Sequence, residues 1–137
     1  MQLNHSECRE RLEVSPFGVL GTVDSNRGTH LVPVVFAVSG DELVVPIDTV
    51  KPKGTKQLRR VRNLQSDSRA SILIDHQSTD WNELWWVRAD LEFRGVVANE
   101  DAWQTRLAMR YPQYSDPVTI DSLLHFALDS ITGWAAR

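Results

Sequence analysis

The sequence of 137 residues contains one cysteine, Cys8, and lacks any long hydrophobic run. A single thiol cannot form an internal disulfide, and it cannot supply the several thiolates of a typical structural zinc site. No apolar stretch approaches the ~20 residues that a membrane-spanning helix requires. The N-terminal residues have no apolar segment of the kind found in signal peptides. We therefore expect a cytoplasmic protein that does not act at a membrane.

Familiar catalytic and nucleotide-binding motifs are also missing. The sequence contains no Gly-x-Gly-x-x-Gly, P-loop, Gly-x-Ser-x-Gly or His-Glu-x-x-His pattern. Its four histidines are scattered. His76 lies near Asp75 and Asp80, but a solvated polar loop explains this group better than a metal site. We predict no metal site.

Few side chains could carry out chemistry by themselves. Asp90 and Glu92 share one face of a predicted strand, but Arg88 and Arg94 flank them, so we expect a ladder of paired charges. Acidic residues beside Cys8 would raise the pKa of its thiol, which disfavours a nucleophilic role. If the protein is an enzyme, its reactive group therefore belongs to a cofactor, and the protein supplies binding, orientation and electrostatics.

The patterns of apolar residues and turn signals predict a mainly β domain over residues 1–137. Strands are predicted over residues 17–23, 30–38, 42–47, 69–75, 84–97 and 118–134, and helices over residues 6–14, over 101–110 and from about residue 55. Within 118–134 the alternation of Leu124, Phe126 and Leu128 favours a strand, although the composition also suits a helix. Six strands without regular β-α-β alternation predict a small antiparallel barrel with peripheral helices.

Two of the predicted strands have unusual sequences. Residues 30–38 are almost continuously apolar, which predicts burial on both faces. Within them, Pro33 cannot donate a ladder hydrogen bond and is expected at a bulge or an unpaired edge, where free backbone groups could meet a ligand. In the fifth strand, Trp85 and Trp86 are adjacent and point to opposite faces. Both are hidden only if both faces are covered, and a second subunit would provide that cover.

A concentrated positive charge distinguishes residues 51–62, which hold six of the 15 basic side chains in a chain of net charge −3. Helical spacing places Leu58, Val61 and Leu64 on one side of a helix. The residue at its predicted N-cap is Thr55, and the other side carries Lys56, Arg59, Arg60 and Asn63. Because Lys51 and Lys53 precede the helix N-terminus, where free amides favour a phosphate, the stretch predicts a phosphate-binding clamp.

Two other interpretations of this basic stretch stay open. A run of charges is often only a solvated helix face. A nucleic-acid-binding surface is disfavoured by the sequence pI of about 5.8 and by the lack of aromatic residues among the basic ones. We expect no nucleic-acid partner, and salt-sensitive binding to DNA or RNA would reverse that expectation.

Several segments, taken in order, resemble a known family. They are GTHLVPVVFAV at 28–38, DTVKPK at 48–53, LRRVRNL at 58–64, ASILIDH at 70–76, DWNELWWVRAD at 80–90 and RYPQY at 110–114. The set resembles the pyridoxamine 5'-phosphate oxidase-like, FMN-binding split β-barrel family, and specifically its actinobacterial subgroup of F420-dependent oxidoreductases. The resemblance covers residues 17–114, whereas residues 119–127 depart from the apolar strand usual in the family.

The resemblance implies a six-stranded antiparallel split β-barrel that forms a homodimer, with two cofactor sites at the subunit interface. The cofactor would be the deazaflavin F420, or alternatively FMN, and the reaction a hydride transfer to or from a small organic substrate. The implied cofactor contacts are Lys51, Lys53, Lys56 and Arg60 for the phosphate, Val32, Pro33 and Val34 for the ring, and Trp85 and Trp86 on the interface strand. The alternatives are an FMN-dependent oxidase or reductase and a non-enzymatic binding module.

Overall fold

A computed structural model of the protein describes residues 1–49 and 58–137. Its helices are α1 (His5–Val14), α2 (Arg59–Ser66) and α3 (Asp101–Arg110). Its strands are β1 (Gly18–Asp24), β2 (Gly28–Val34), β3 (Ala37–Ser39), β4 (Glu42–Asp48), β5 (Arg69–His76), β6 (Trp85–Val97) and β7 (Ile120–Ala135). The described part of the chain contains no helix that is long and apolar enough to cross a membrane.

The seven strands form one antiparallel sheet in the order β2-β1-β5-β6-β7-β4-β3. The two ends of this order, β2 and β3, are consecutive in the chain and are separated only by residues 35 and 36. The chain therefore holds the two edges of the sheet side by side, although no ladder between them is formed in the described residues. This arrangement is a barrel with a split, and it confirms the predicted fold class.

The predicted strand over residues 30–38 is in fact two strands, which is why the sheet has seven strands rather than six. The backbone of Phe36 bonds to a side chain instead of a neighbouring strand: its N–H donates to the Tyr111 hydroxyl at 3.2 Å. The prediction that both faces are buried is wrong for the chain by itself, because Leu31 in β2 is 65% exposed. Pro33 lies in β2, an edge strand of the sheet, as predicted.

The long strands β6 and β7 form the middle of the barrel wall. The predicted final strand is confirmed, since β7 runs over Ile120–Ala135 and pairs with both β4 and β6. Leu124 and Phe126 of β7 are fully buried, in keeping with the alternation seen in the sequence. β6 is a single strand whose register with β7 shifts between Asp90 and Leu91 and again between Phe93 and Gly95.

Helix α2 docks by its apolar side and adds two polar contacts to β1. Val61 and Leu64 are buried in the barrel core, as the helical spacing predicts. The placement of Asn63 on the free basic side was wrong, because its side chain is buried and its amide donates to the Thr22 hydroxyl at 3.0 Å. The helix begins at Arg59 with Leu58 as its N-cap, and the predicted N-cap, Thr55, lies outside the described residues.

Candidate functional site

A cleft of about 310 Å³ opens where the β2–β3 junction, the end of β4 and helix α2 meet. We call it the α2 cleft. Its apolar walls are Phe17, Pro33, Val34, Val35, Val45 and Pro46, and its polar side chains are Asp48, Arg60, Gln113 and Tyr114. Mostly apolar walls with a few polar groups are typical of sites that bind small molecules, and this volume lies at the small end of their range.

Arg60 places a partly buried positive charge in the cleft. Its Nε atom is buried and has no hydrogen-bond partner among residues 1–49 and 58–137. Burial lowers the pKa of Arg60, while the carboxylate of Asp48 opposes that change. Buried donors are nearly always satisfied in proteins. A guanidinium with a free buried donor at the wall of a cleft therefore suits a ligand that brings acceptor atoms.

Asp48 is the acidic group of the cleft, and Tyr114 holds it in place. The Tyr114 hydroxyl donates to Asp48 Oδ1 at 2.7 Å. Asp48 directly follows a register shift in the ladder between β4 and β7, and it still pairs with Ile120. Burial, followed by the neighbouring Asp48 carboxylate, raises the pKa of Tyr114. The Tyr114 hydroxyl is therefore poorly suited to give up its proton, and it serves to orient Asp48.

A second tyrosine, Tyr111, fixes the β2–β3 junction, which forms one wall of the cleft. The hydroxyl oxygen of buried Tyr111 lies 2.7 Å from the Pro16 carbonyl oxygen and 3.0 Å from that of Phe36. The rings of Tyr111 and Tyr114 meet edge to face at a centroid distance of 5.9 Å. The segment that follows α3 thus ties together three parts of the chain that are far apart in sequence.

The structure brings three of the predicted cofactor contacts together: Pro33, Val34 and Arg60 all line the α2 cleft. Val32 shares its face of β2 with Val34 and packs against the barrel core, but it does not line the cleft. Three further predicted contacts, Lys51, Lys53 and Lys56, lie outside the described residues.

The two tryptophans predicted at the site are not among the residues that line the cleft. Trp85 is half-buried and lies under the guanidinium of Arg11, at 4.8 Å from ring centroid to Cζ. Trp86 points to the opposite face of β6, where Arg88 lies 5.9 Å above its ring. The opposite orientations agree with the strand geometry expected from the sequence.

The outward side of β1, β2, β5 and β6 forms a broad open groove of about 1,040 Å³. We call this surface the outer face. Its apolar members include Leu31, Leu73 and Val19, which are 65%, 40% and 36% exposed. Charges of both signs line it as well, such as Arg88 and Asp90, whose side chains form an ion pair at 3.5 Å. Pro33 belongs to the same side of β2 as Leu31, so the cleft borders the outer face.

Sequence reasoning missed three polar residues of the cleft: Asp48, Gln113 and Tyr114. In the sequence, Asp48 belongs to the DTVKPK segment, and Gln113 and Tyr114 belong to the RYPQY segment. Both segments carry the family resemblance, which was the available signal. Their convergence, however, depends on contacts that span 66 residues of sequence.

Other candidate groups from the sequence have structural roles. Burial and the nearby Glu7 carboxylate raise the pKa of the Cys8 thiol, which agrees with the expected lack of nucleophilic character. Asp90 accepts hydrogen bonds from the hydroxyls of Ser71 and Ser130 at 3.0 and 2.9 Å, and it pairs with Arg88. In the portion of the chain that the structure covers, His, Cys, Asp and Glu side chains form no group able to hold a metal ion.

Comparison with known proteins rests on structure alone. No protein-family model and no curated protein sequence matches this chain. Among solved structures, it is similar to the conserved hypothetical protein Rv2991 from Mycobacterium tuberculosis, with 20% identity, a TM-score of 0.73, and coverage of 98% of this chain and 86% of that one.

Two further solved structures extend this likeness. An FMN-binding protein from Syntrophomonas wolfei has 15% identity and a TM-score of 0.68, over 95% of this chain and 88% of that one. An F420 reductase has 15% identity and a TM-score of 0.63, over 93% of this chain and 96% of that one. At these identities the likeness shows the fold alone, which is the split β-barrel.

Proposed function

We propose that this protein is an oxidoreductase of the pyridoxamine 5'-phosphate oxidase-like family that transfers a hydride between F420 and a small organic substrate. The observation that carries the proposal is the α2 cleft, which is lined both by apolar Pro33 and Val34 and by the partly buried Arg60. The resemblance of the RYPQY and LRRVRNL segments to the F420-dependent subgroup supports it. So does the fold shared with an F420 reductase and an FMN-binding protein.

The residues of the cleft fit a cofactor that combines a flat ring with an anionic tail. Exposed Pro33 and the largely buried Val34 both contribute apolar lining to the cleft, which would keep water from a bound ring. The Nε of Arg60, which has no partner among the residues that the structure describes, suits an acceptor on the ligand, such as a phosphate oxygen. We extend the anionic part of the site to Lys51, Lys53 and Lys56, which precede Arg60 in the chain.

The bound cofactor would supply a hydride, from the central ring carbon of F420 or the equivalent nitrogen of FMN. The protein contributes orientation and electrostatics. Arg60 places a positive charge beside the ligand, and the carboxylate of Asp48, oriented by Tyr114, offsets part of the cost of burying that charge. Fixing the ring against one wall leaves its other face for the substrate, which is the positional contribution to catalysis.

We further propose that the protein is a homodimer joined through the outer face. Leu31 and Leu73 form part of an exposed apolar patch, and such patches mark interaction sites. A second copy of the chain would bury both side chains together. The charges along the groove have both signs, so they can pair across a two-fold axis between identical surfaces. Because the cleft borders this face through Pro33, each cofactor site would lie at the edge of the subunit interface.

Titration of the purified protein with F420 and with FMN, followed by fluorescence, tests the proposed function. We expect saturable binding of F420 at micromolar concentration and weaker binding of FMN. If FMN binds more tightly than F420, the proposed cofactor becomes FMN, and the function becomes that of an FMN-dependent oxidase or reductase. Binding of neither cofactor would overturn the proposal, and salt-sensitive binding of DNA or RNA would then favour a nucleic-acid module.

A further inference from the structure

Gln113 lines the α2 cleft, but neither the fold nor the proposed function assigns a role to its side chain. Its side chain lines the α2 cleft and is exposed there. It has no hydrogen-bond partner within residues 1–49 and 58–137, in contrast to Tyr114 next to it. A free amide at the wall of a binding cleft is available to a ligand.

The backbone around Gln113 is fixed on both sides. The N–H of Tyr114 donates to the Tyr111 carbonyl at 2.8 Å, and the N–H of Ser115 donates to that of Pro112 at 3.0 Å. The Gln104 side chain donates to the Tyr114 carbonyl at 2.6 Å. Such anchoring limits the conformational freedom that Gln113 must lose when it binds a ligand, which favours affinity and specificity.

The chemistry of the cleft indicates which group Gln113 contacts. Its side-chain amide carries a donor and an acceptor side by side, a pattern complementary to a carbonyl next to an N–H. Arg60 already provides the positive charge for an anion, while the Asp48 carboxylate opposes additional negative charge. A neutral amide that faces apolar walls is therefore better suited to a neutral polar ring edge than to a phosphate.

We propose that Gln113 is a specificity-determining residue that pairs with the pyrimidinedione edge of the cofactor ring. This inference rests on the proposed function. The amide carbonyl accepts from the ring N3–H, and the amide N–H donates to an adjacent ring carbonyl. F420 and FMN share this edge, so Gln113 selects for the ring system, and the contacts to the tail come from other residues.

The test compares ligands that differ only at the proposed contact. The probes are F420, its phosphate-free chromophore 8-hydroxy-5-deazariboflavin, and the N3-methyl derivative of that chromophore, each titrated with wild type and Gln113→Leu. FMN, riboflavin and 3-methylriboflavin provide the same comparison for a flavin. Gln65→Leu is the matched control, because Gln65 is exposed on α2 and does not line the cleft. Thermal unfolding verifies that both variants are folded.

We expect Gln113→Leu to raise the dissociation constants of F420 and of the phosphate-free chromophore equally, by about tenfold. This change corresponds to the loss of one or two neutral hydrogen bonds. The N3-methyl derivative should bind wild type and Gln113→Leu with the same affinity. If only the binding of F420 is weakened, Gln113 contacts the tail of the cofactor and the inference is overturned. Unchanged affinity for every probe would overturn it as well. If wild type binds no probe, the proposed function fails as well, which is a distinct result.

Discussion

The α2 cleft and the outer face border one another along β2, yet their chemistry differs. In the cleft, polar groups are oriented by hydrogen bonds, such as Asp48 by Tyr114. On the outer face, Leu31 and Leu73 are exposed next to Arg88 and Asp90, which pair with each other. The two surfaces therefore suit different partners. The cleft presents fixed donors and acceptors for a small ligand, whereas the outer face offers apolar area for another protein surface.

The largest expected effect is the loss of the dimer when a charge is introduced into the apolar part of the outer face. Leu31→Asp should raise the dimer dissociation constant by about 100-fold or more, because an unpaired buried charge costs at least ~3 kcal/mol. Sedimentation velocity over a range of concentrations measures this change. Met109→Asp is the control, since Met109 is 81% exposed on α3, outside the outer face. Equal dimer affinity in the two variants would remove the outer face as the interface.

The next effect concerns the hydrogen bonds that shape the cleft. Tyr111→Phe should lower the free energy of unfolding by ~1–3 kcal/mol, because it leaves the buried Phe36 N–H without its acceptor. Tyr114→Phe should cost only ~0.5–1.5 kcal/mol, since Asp48 is exposed and water replaces the lost donor. Urea unfolding measures both values. The reverse order would mean that the junction between β2 and β3 does not depend on Tyr111.

The smallest effect is a dependence of stability on pH where α2 meets β1. Hydrogen bonds from the Asn26 N–H and the Arg59 side chain lower the pKa of Asp24 below its usual value of 3.8. A carboxylate with a lowered folded-state pKa adds stability above the unfolded-state value, and this stability is lost as the pH falls through the folded-state value. Asp24→Asn should therefore lower the urea midpoint at pH 6, and the difference from wild type should shrink towards pH 3.

If the urea midpoints of wild type and Asp24→Asn differ by the same amount from pH 6 to pH 3, the effect comes from the shape of the side chain and not from its charge. Asp121→Asn is a suitable reference, because Asp121 is an exposed residue of β7 distant in sequence from the α2 contacts. We expect its urea midpoint to follow that of wild type at every pH.

Much of the fold could be predicted from the sequence, because apolar alternation and helical spacing act over short distances. Leu124 and Phe126 indicated the last strand, and Val61 and Leu64 indicated the docked side of α2. The division of the second predicted strand could not be predicted. The partner of Phe36 is Tyr111, 75 residues further along the chain, and no polar residue marks the division in the sequence.

The site was less predictable for the same reason. Residue type and position indicated Pro33 and Arg60, and the structure brings these two together. Asp48 and Gln113 join them only through the fold. The burial of Asn63 shows the same limit, because a polar residue on a helix is expected to face solvent unless its partner, here Thr22, is known.

The central claim is that Arg60 in the cleft, together with the lysines that precede it in the chain, holds the anionic part of a cofactor, and one comparison of affinities tests it most directly. The dissociation constant for F420 is measured by fluorescence titration for wild type, Arg60→Ala, Lys53→Ala, Lys56→Ala and Arg62→Ala. Arg62 is the matched control, because it is an exposed arginine of α2 that does not line the cleft. We predict that each of the first three substitutions weakens binding by ~1–3 kcal/mol, the range for a charge-assisted contact, and that Arg62→Ala leaves it unchanged. Equal affinity in Arg60→Ala and Arg62→Ala would contradict the account and move the cofactor away from the α2 cleft.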